Sequence, residues 1–352
     1  MNSDILIIGG GIIGLYSAAL LANTGASITV IDQSDIGGES SWAAGGILSP
    51  LLPWDYAGET HDLTDQASIR YEQLADQLKE STGIDIEFWP CGLVTVQNQR
   101  NPSAESWCQK HNVPFDSVCP SAIGAFKPSN NKSYLFLPEV AQIRCSKLLP
   151  ALYEDLKLRG VAFLPHTQVH ALEIENNQII GAQTKVGLIQ CHHLVWATGA
   201  WSGRLESNSR LINPPKITPV RGQIIAYDAK KIGLSTILYD QGHYLIPRKD
   251  GLILAGSTLE HVGFDKSTTE SARHQLEENS ISLIPELANC NISQHWSGLR
   301  PYSETQRPLI GSHPQIRGLY MNCGHFRYGI AMAPRSAEII FQAIEKAESG
   351  VA

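Results

Sequence analysis

An apolar run at residues 4–8 leads directly into Gly9-Gly10-Gly11-Ile12-Ile13-Gly14. A helical stretch follows at residues 15–23, ended by Gly25, and a second apolar run at 27–31 closes on Asp32. Apolar runs this short and this pure fit strands buried on both faces, so the segment reads as a βαβ unit. The three glycines of the G-x-G-x-x-G pattern have separate duties. Gly9 permits the tight turn out of the strand, Gly11 lets a pyrophosphate come close to the backbone, and Gly14 lets helix and sheet pack tightly. The helix start that follows the glycine motif then offers free N–H groups and a positive partial charge to phosphate. Asp32, with Gln33 beside it, stands where a carboxylate accepts from a ribose hydroxyl and repels a 2′-phosphate. The pattern implies a dinucleotide other than NADP. It does not choose between NAD and FAD, and its plainer reading is a glycine turn in some other α/β protein.

Length and charge narrow the field. A chain of 352 residues suggests two domains at about 150 residues each. With 43% hydrophobic residues there is ample apolar material to offset chain entropy, which excludes a disordered chain. The net charge is −7 and no basic run occurs, so no nucleic acid is expected as partner, and an anionic substrate needs local positive groups. Seven cysteines, at positions 91, 108, 119, 145, 191, 290 and 323, are scattered without a CxxC pair. That argues against a disulfide scaffold and for a reducing compartment. Residues 5–22 carry no charge and approach the length of a membrane span, but glycines interrupt them and no basic flank precedes them. They read as strand, turn and buried helix. No integral membrane segment or targeting segment is expected, and cytoplasmic is the default location.

Further along, residues 62–82 and 145–159 read as helices, the first with Leu74 and Leu78 on one face. Short strands are expected at 93–97, 134–137, 161–163, 168–174, 179–184, 188–191 and 194–197. Cys191-His192-His193 then falls at an edge or turn. Strands at 223–227, 244–246 and 252–255 precede a helix at 269–284, and further strands are expected at 296–299 and 319–322. Gly324-His325-Phe326-Arg327-Tyr328-Gly329 opens a last helix that runs to about residue 348, with Pro334 in its first turns. Nucleotide-type α/β sequence therefore alternates with sheet-rich insertions.

Three features favour FAD. Glu39-Ser40-Ser41-Trp42-Ala43-Ala44-Gly45-Gly46-Ile47 is dense in small and hydroxyl side chains, which suits backbone laid against a flat ring, although an ordinary loop has similar composition. Ala197-Thr198-Gly199-Ala200 is a strand end with a glycine turn. The last helix, opening at Gly324–Gly329, can aim its positive end at a flavin. Together with Tyr244-Leu245-Ile246-Pro247-Arg248, Trp296-Ser297-Gly298-Leu299-Arg300-Pro301 and Arg307-Pro308-Leu309-Ile310-Gly311, these motifs occur in an order that covers nearly the whole chain. The sequence resembles the FAD-dependent D-amino-acid oxidase superfamily, and within it the bacterial glycine oxidases associated with thiamine biosynthesis.

The resemblance implies an α/β fold in which a Rossmann-like FAD-binding domain (1–83, 141–217 and 298–352) interleaves with a sheet-rich α+β substrate domain (84–140 and 218–297). It implies non-covalent FAD held by Gly9, Gly11, Ile12, Ile13, Gly14, Asp32 and Gln33, and by Ser40, Ser41, Ala43, Ala44, Gly45, Gly46 and Ile47. Val169, Thr198, Gly199, Trp201, Gly324, His325, Phe326, Arg327, Tyr328, Gly329 and Ile330 complete that set. It implies a small amino acid or amine as substrate, with Arg300 and Tyr244 on its carboxylate and the Arg327 backbone carbonyl on its amine. Hydride passes to flavin N5, the imine hydrolyses to an oxo acid and ammonia, and O2 is reduced to H2O2. A homo-oligomer is expected on the same ground. The alternative is a D-amino-acid dehydrogenase that passes electrons to a quinone; an NAD dehydrogenase and a non-catalytic flavin binder are weaker readings. Taken alone, Arg300 could be a surface ion pair, Tyr244 a core tyrosine and Arg327 a loop charge.

Tyr328 departs from a position often held by asparagine, Tyr302-Ser303-Glu304 from a smaller glycine-containing stretch, and Gly242 from a histidine found in some relatives. The choice among glycine, sarcosine, N-ethylglycine, D-alanine and D-proline is therefore open. His166 and His170 bracket a strand and lack the HExxH pattern, so no metal is expected. His325 reads as a backbone partner more than as a catalyst.

Overall fold

Residues 5–8 of the first strand are almost wholly buried because neighbours cover both of their edges and both of their faces. The computed structural model that shows this describes all residues except 1, 51, 57, 98, 118–122, 130, 205–213 and 350–352, so Cys119 lies outside the described residues. In chain order the elements begin with β1 (Asn2–Ile8), α1 (Ile12–Leu21), β2 (Ile28–Ile31), α2 (Ser40–Ala43), α3 (Gly58–Thr64), α4 (Ala67–Thr82), β3 (Leu93–Gln97) and α5 (Pro102–Lys110). Next come β4 (Ser133–Leu137), α6 (Cys145–Leu158), β5 (Ala162–Leu164), β6 (Val169–Glu175), β7 (Gln178–Thr184), β8 (Gly187–Trp196), β9 (Ile217–Asp228) and β10 (Ile237–Asp240). The chain ends with β11 (His243–Pro247), β12 (Leu252–Gly256), α7 (Glu270–Leu283), β13 (Asn291–Ser303), β14 (Leu309–Ser312), β15 (Leu319–Cys323) and α8 (Gly329–Glu348).

Among the described residues fifteen strands form two sheets. The first has the order β14-β15-β8-β1-β2-β5, with β6 and β7 reached through β8. β1 pairs in parallel with β2 and β8, Ile5 opposite Ile28 and Ile8 opposite Trp196, which is the expected βαβ geometry. Helices α1, α4, α6 and α8 bury their apolar sides on one face, and β7 with its neighbours packs on the other. The second sheet has the order β13-β9-β12-β11-β10-β3-β4 and is mostly antiparallel. Each sheet thus draws strands from separated parts of the chain.

Several local expectations change. Residues 187–196 form one strand where two were expected, so Cys191, His192 and His193 sit within β8 and pair with β1 rather than marking a turn. The helix expected at 62–82 is two helices, broken where Gln66 adopts φ 56°. β13 is thirteen residues long and pairs with β9 through the boundary expected at 297/298. Its exposed half carries polar side chains, which hide a strand from apolar pattern reading. α5 was not expected; its start is Asn101, whose side chain accepts from the Ala104 N–H (3.1 Å), with Pro102 in the first turn.

Candidate active site

Where β1 ends, Gly9 turns with φ +110°, and a Cβ there would lie 2.3 Å from the Ala197 carbonyl at the end of the neighbouring strand. Both facts demand glycine. At Gly14 a Cβ would lie 1.9 Å from the Gly9 carbonyl, so this glycine serves close packing, as expected, and does not itself face the cavity. Gly11 caps α1 with no side-chain bond, and the Ile12 N–H donates to Ser41 Oγ (3.0 Å), which ties α2 to the helix start. Asp32 accepts from the Gly10 N–H through Oδ2 (2.8 Å) and from the Ser34 N–H and hydroxyl through Oδ1 (2.8 and 2.9 Å). A carboxylate has about four acceptor positions. Asp32 is therefore oriented by three of them and keeps capacity for a ligand hydroxyl, a constraint its sequence position did not reveal.

These residues line one end of a cavity of about 600 Å³, within the range of cofactor pockets at about 300–1,000 Å³. Gly9, Gly11, Ile12, Ile13, Asp32 and Gln33 form that end. Ser40, Ser41, Ala43, Ala44, Gly45, Gly46 and Ile47 form one wall, and Val169, Thr198, Gly199 and Trp201 another. His325, Phe326, Arg327, Tyr328, Gly329 and Ile330 bring the start of α8 to it, together with Tyr244 and Arg300. Gly324 does not line it: its φ is +86°, and a Cβ would meet Ile217 Cδ1 at 2.9 Å, so it turns the chain behind the wall. The glycine turn, the helix start that follows it and the oriented carboxylate fit a dinucleotide.

Arg300 and Tyr244 mark the other end. Arg300 extends from β13 across β9, and its guanidinium lies against the backbone of Gly222, where a Cβ would sit 2.1 Å from both terminal nitrogens. Its Nη1 donates to the Thr258 carbonyl (3.1 Å) and its Nη2 to Ser257 Oγ (2.8 Å). Loss of water pushes its pKa down to about 10, with the charge of Arg327 adding to that effect, so it remains a cation at neutral pH. Among the described residues no carboxylate pairs with it directly. The Tyr244 ring lies over Gly256 on β12, where a Cβ would sit 2.7 Å from its hydroxyl. Gly45 borders it on the other side, its Cβ position 3.6 Å from the hydroxyl.

The surroundings hold this end in place. Arg248 is buried, and desolvation lowers its pKa. It donates to Gln142 Oε1 (2.6 Å) and to the carbonyls of Ile143 (3.0 Å) and Gly45 (2.9 Å). Burial drives the His325 pKa down to about 3, and its Nε2 lies 3.0 Å from Ser336 Oγ, so it is a neutral anchor between the Gly324–Gly329 turn and α8. Tyr328 meets Tyr56 hydroxyl to hydroxyl, and Tyr302 packs edge-on against Phe326 at 5.2 Å. Trp196, Arg204, Gly222, Ser257, Asn322 and Thr167 also line the cavity and were not anticipated. Gly222 and Gly256-Ser257 carried a readable signal, since a glycine inside a strand often marks close approach of another group. The rest come from elements distant in sequence. No group of three or more His, Cys, Asp or Glu among the described residues could hold a metal.

The model of the FAD-dependent oxidoreductase (DAO) family matches residues 4–343. Glycine oxidase of Pseudomonas putida is 36% identical over 352 residues, covering 99% of this chain and 96% of that protein. The bifunctional ThiO/ThiG protein of a Nostoc species is 30% identical over 368 residues, covering 99% of this chain and 54% of its own length. The crystal structure of glycine oxidase from Geobacillus kaustophilus superposes with a TM-score of 0.90 at 24% identity, covering 98% of this chain and 95% of that one; it shares the fold. The family match takes in the whole cavity wall, from the strand before Gly9 to the helix that opens at Gly329: this chain belongs to the DAO family of FAD-dependent oxidoreductases, and FAD is its cofactor.

Proposed function

We propose that this protein is an oxidase of glycine or other small D- or N-alkyl amino acids, holding FAD without a covalent bond and reducing O2 to H2O2. The observation that carries the reading is Arg300: a cation withdrawn from water, held by two neutral acceptors, with no carboxylate among the described residues in contact. Such a group gains most from an anion that fits its planar fork, and an amino-acid carboxylate does so with two bonds. The Tyr244 hydroxyl is a second donor to that carboxylate, and the Arg327 backbone carbonyl is the acceptor for the amine. Bound flavin supplies the hydride acceptor. Binding at both ends of the substrate limits its motion and aims the Cα–H, which is the chain's main contribution to rate. A neutral amine needs no strong protein base, and the buried His325 is not asked to be one. The imine product hydrolyses to an oxo acid and ammonia, or to an amine where the nitrogen is alkylated.

The glycine oxidase relatives support the substrate class, and the likeness to ThiO/ThiG proteins supports a place in thiamine biosynthesis. We assign cofactor binding to the segments 1–83, 141–217 and 298–352 and substrate contacts to 84–140 and 218–297. The continuous pairing of β13 argues for moving the last division to the end of that strand. Among the described residues no helix is long and apolar enough to cross a membrane. The test is a panel of glycine, sarcosine, D-alanine, D-proline and longer D-amino acids read by peroxide. Peroxide with the smallest substrates is the expected result. Dye reduction without peroxide would overturn the oxidase in favour of a quinone-linked dehydrogenase.

A further inference from the structure

Arg300 is held from behind by a segment that the proposed chemistry does not use. Both of its acceptors, Ser257 and Thr258, lie at the start of residues 257–267, which leave β12. The Thr258 N–H donates to the Gln223 carbonyl (3.3 Å), and Glu260 and Arg221 exchange backbone bonds of 2.9 and 3.0 Å, so the segment extends along β9. Its other end reaches the approach to α2, where Lys266 Nζ lies 3.0 Å from the Glu39 carboxylate.

One side chain ties this arrangement together. Glu260 Oε2 accepts from Arg221 Nη2 (2.6 Å) and Nε (3.3 Å). Glu260 Oε1 accepts from Gln223 Nε2 (2.8 Å) and from the Thr258 hydroxyl. That hydroxyl in turn accepts from the Gln223 backbone N–H (2.8 Å). Arg221 is 3% exposed and Gln223 is fully buried, so the bonds form where water competes little. Desolvation opposes ionisation of Glu260, but the bonds from Arg221, Thr258 and Gln223 outweigh it and hold its pKa below the ordinary value. Arg221 also reaches Asp265 Oδ2 (2.7 Å), a half-exposed contact on the far side. The guanidinium of Arg300 rests on a glycine backbone that offers it no side chain to lean on. Its lateral placement is therefore set by the carbonyl of Thr258 and the hydroxyl of Ser257.

We propose that Glu260 is a positioning residue for carboxylate binding: it locks Thr258, and through Thr258 and Ser257 it fixes the plane in which Arg300 meets the substrate carboxylate. This rests on the reading of Arg300 as the carboxylate site. A fork that must make two parallel bonds loses more from a small tilt than a point charge does.

The test uses the full-length, FAD-loaded protein and acetate, which carries a carboxylate and no oxidisable amine. Acetate binding is followed by the change in the visible spectrum of the bound flavin, so no turnover is required. In Glu260→Gln the acetate Kd and the KM for glycine are expected to rise together by roughly ten-fold. FAD occupancy should be unchanged and kcat should stay within about two-fold of the parent, because the effect is on binding. Glu260→Asp, which keeps the charge, should recover part of the loss. Asp265→Asn, which removes the outer partner of Arg221, should leave both readouts alone. An unchanged acetate Kd in Glu260→Gln overturns the proposal. So does a parallel fall in kcat and FAD occupancy, which marks general loosening. If acetate binds the parent in an Arg300-dependent way but no amino acid is oxidised, the oxidase reading falls while the Kd comparison still judges Glu260. If Arg300→Ala binds acetate as the parent does, the carboxylate site itself is wrong and the proposal falls with it.

Discussion

A methyl group at residue 222 would lie 2.1 Å from two nitrogens of Arg300, and the strand around it is paired with β13 on one side and bonded to the backbone of residues 258 and 260 on the other. The side chain must then yield, because the sheet does not. Gly222→Ala is expected to lower kcat/KM for the preferred amino acid by about 10- to 100-fold, the scale on which a displacement of an ångström acts. Flavin content should be unaffected, since Gly222 lies at the substrate end of the cavity. Steady-state kinetics with a flavin absorbance measurement check this, and a variant with parental kcat/KM would show that Arg300 tolerates a different pose. Arg300→Ala removes the charge itself, and its apparent KM should rise by an amount equivalent to about 2–5 kcal/mol. At this scale much was legible beforehand. Gly9 and Gly14 act through neighbours a few residues away or at the next strand end, and Arg300 and Tyr244 lie in motifs that place them in the same cavity. The glycine at 222 signals a close approach without naming what approaches, and Glu260 carries no signal at all. Gly222 takes its meaning from Arg300, 78 positions away, and Glu260 from Gln223 and Arg221, 37 and 39 positions away, all brought close by strand pairing.

Among the elements, α8 carries its own defect. Pro334 lies inside it and has no N–H to give to the carbonyl four residues back, that of Ile330. The hydroxyl of Tyr71, on α4, donates to that carbonyl at 2.8 Å in a fully buried setting. A side chain of one helix thus completes the hydrogen bonding of another. Tyr71→Phe keeps the ring and strands the carbonyl, so it should cost about 1–3 kcal/mol, seen as a lower urea midpoint with an unchanged slope. An unchanged midpoint would mean that another donor reaches Ile330. Arg248 plays a similar part for the loop after α2, since one of its three bonds goes to the Gly45 carbonyl. Bonds to charged groups are worth about 1.5–3 kcal/mol, so Arg248→Met should weaken FAD retention by roughly ten-fold or more, with activity recovered by excess FAD. Flavin release on dialysis measures it. The sequence pattern foretold both the proline and the loop, but neither partner: Tyr71 reads simply as one apolar-face residue of a helix. The break between α3 and α4 escaped for a different reason. Gln66 is exposed and carries no local signal for the positive φ it adopts between the buried residues Thr64 and Ala67.

The whole molecule combines two sheets with apolar layers on their faces, and that thickness takes many titratable groups out of water. His193, His243, His295, His313 and His325 all have pKa values lowered, with desolvation the leading cause in each. A histidine held neutral in the folded state takes up its proton only after the unfolded chain has done so. Between the ordinary value of 6.5 and the folded value, the unfolded state therefore binds more protons, and stability falls as pH falls. The lowered carboxylates, Asp4, Asp250 and Glu260 among them, add to the loss only as pH drops below about 4.5 and continues through their folded values. On the alkaline side the signs are those of buried acids. Cys145, Cys191 and Cys323 are pushed up to about 12, so above about 9 the unfolded chain releases protons that the folded chain keeps. Stability should form a plateau between about pH 6.5 and 9 and decline on both sides. Urea midpoints of the holoenzyme at pH 5, 7.5 and 9.5 test this, and a midpoint at pH 5 equal to that at 7.5 would contradict it. His325 should dominate the acid limb, because complete burial drives its folded value down to about 3 and its Nε2 is committed to Ser336. In His325→Asn an amide can still meet that hydroxyl but cannot take up a proton, so the decline from pH 7.5 to 5 should become shallower even if the variant begins from a lower midpoint.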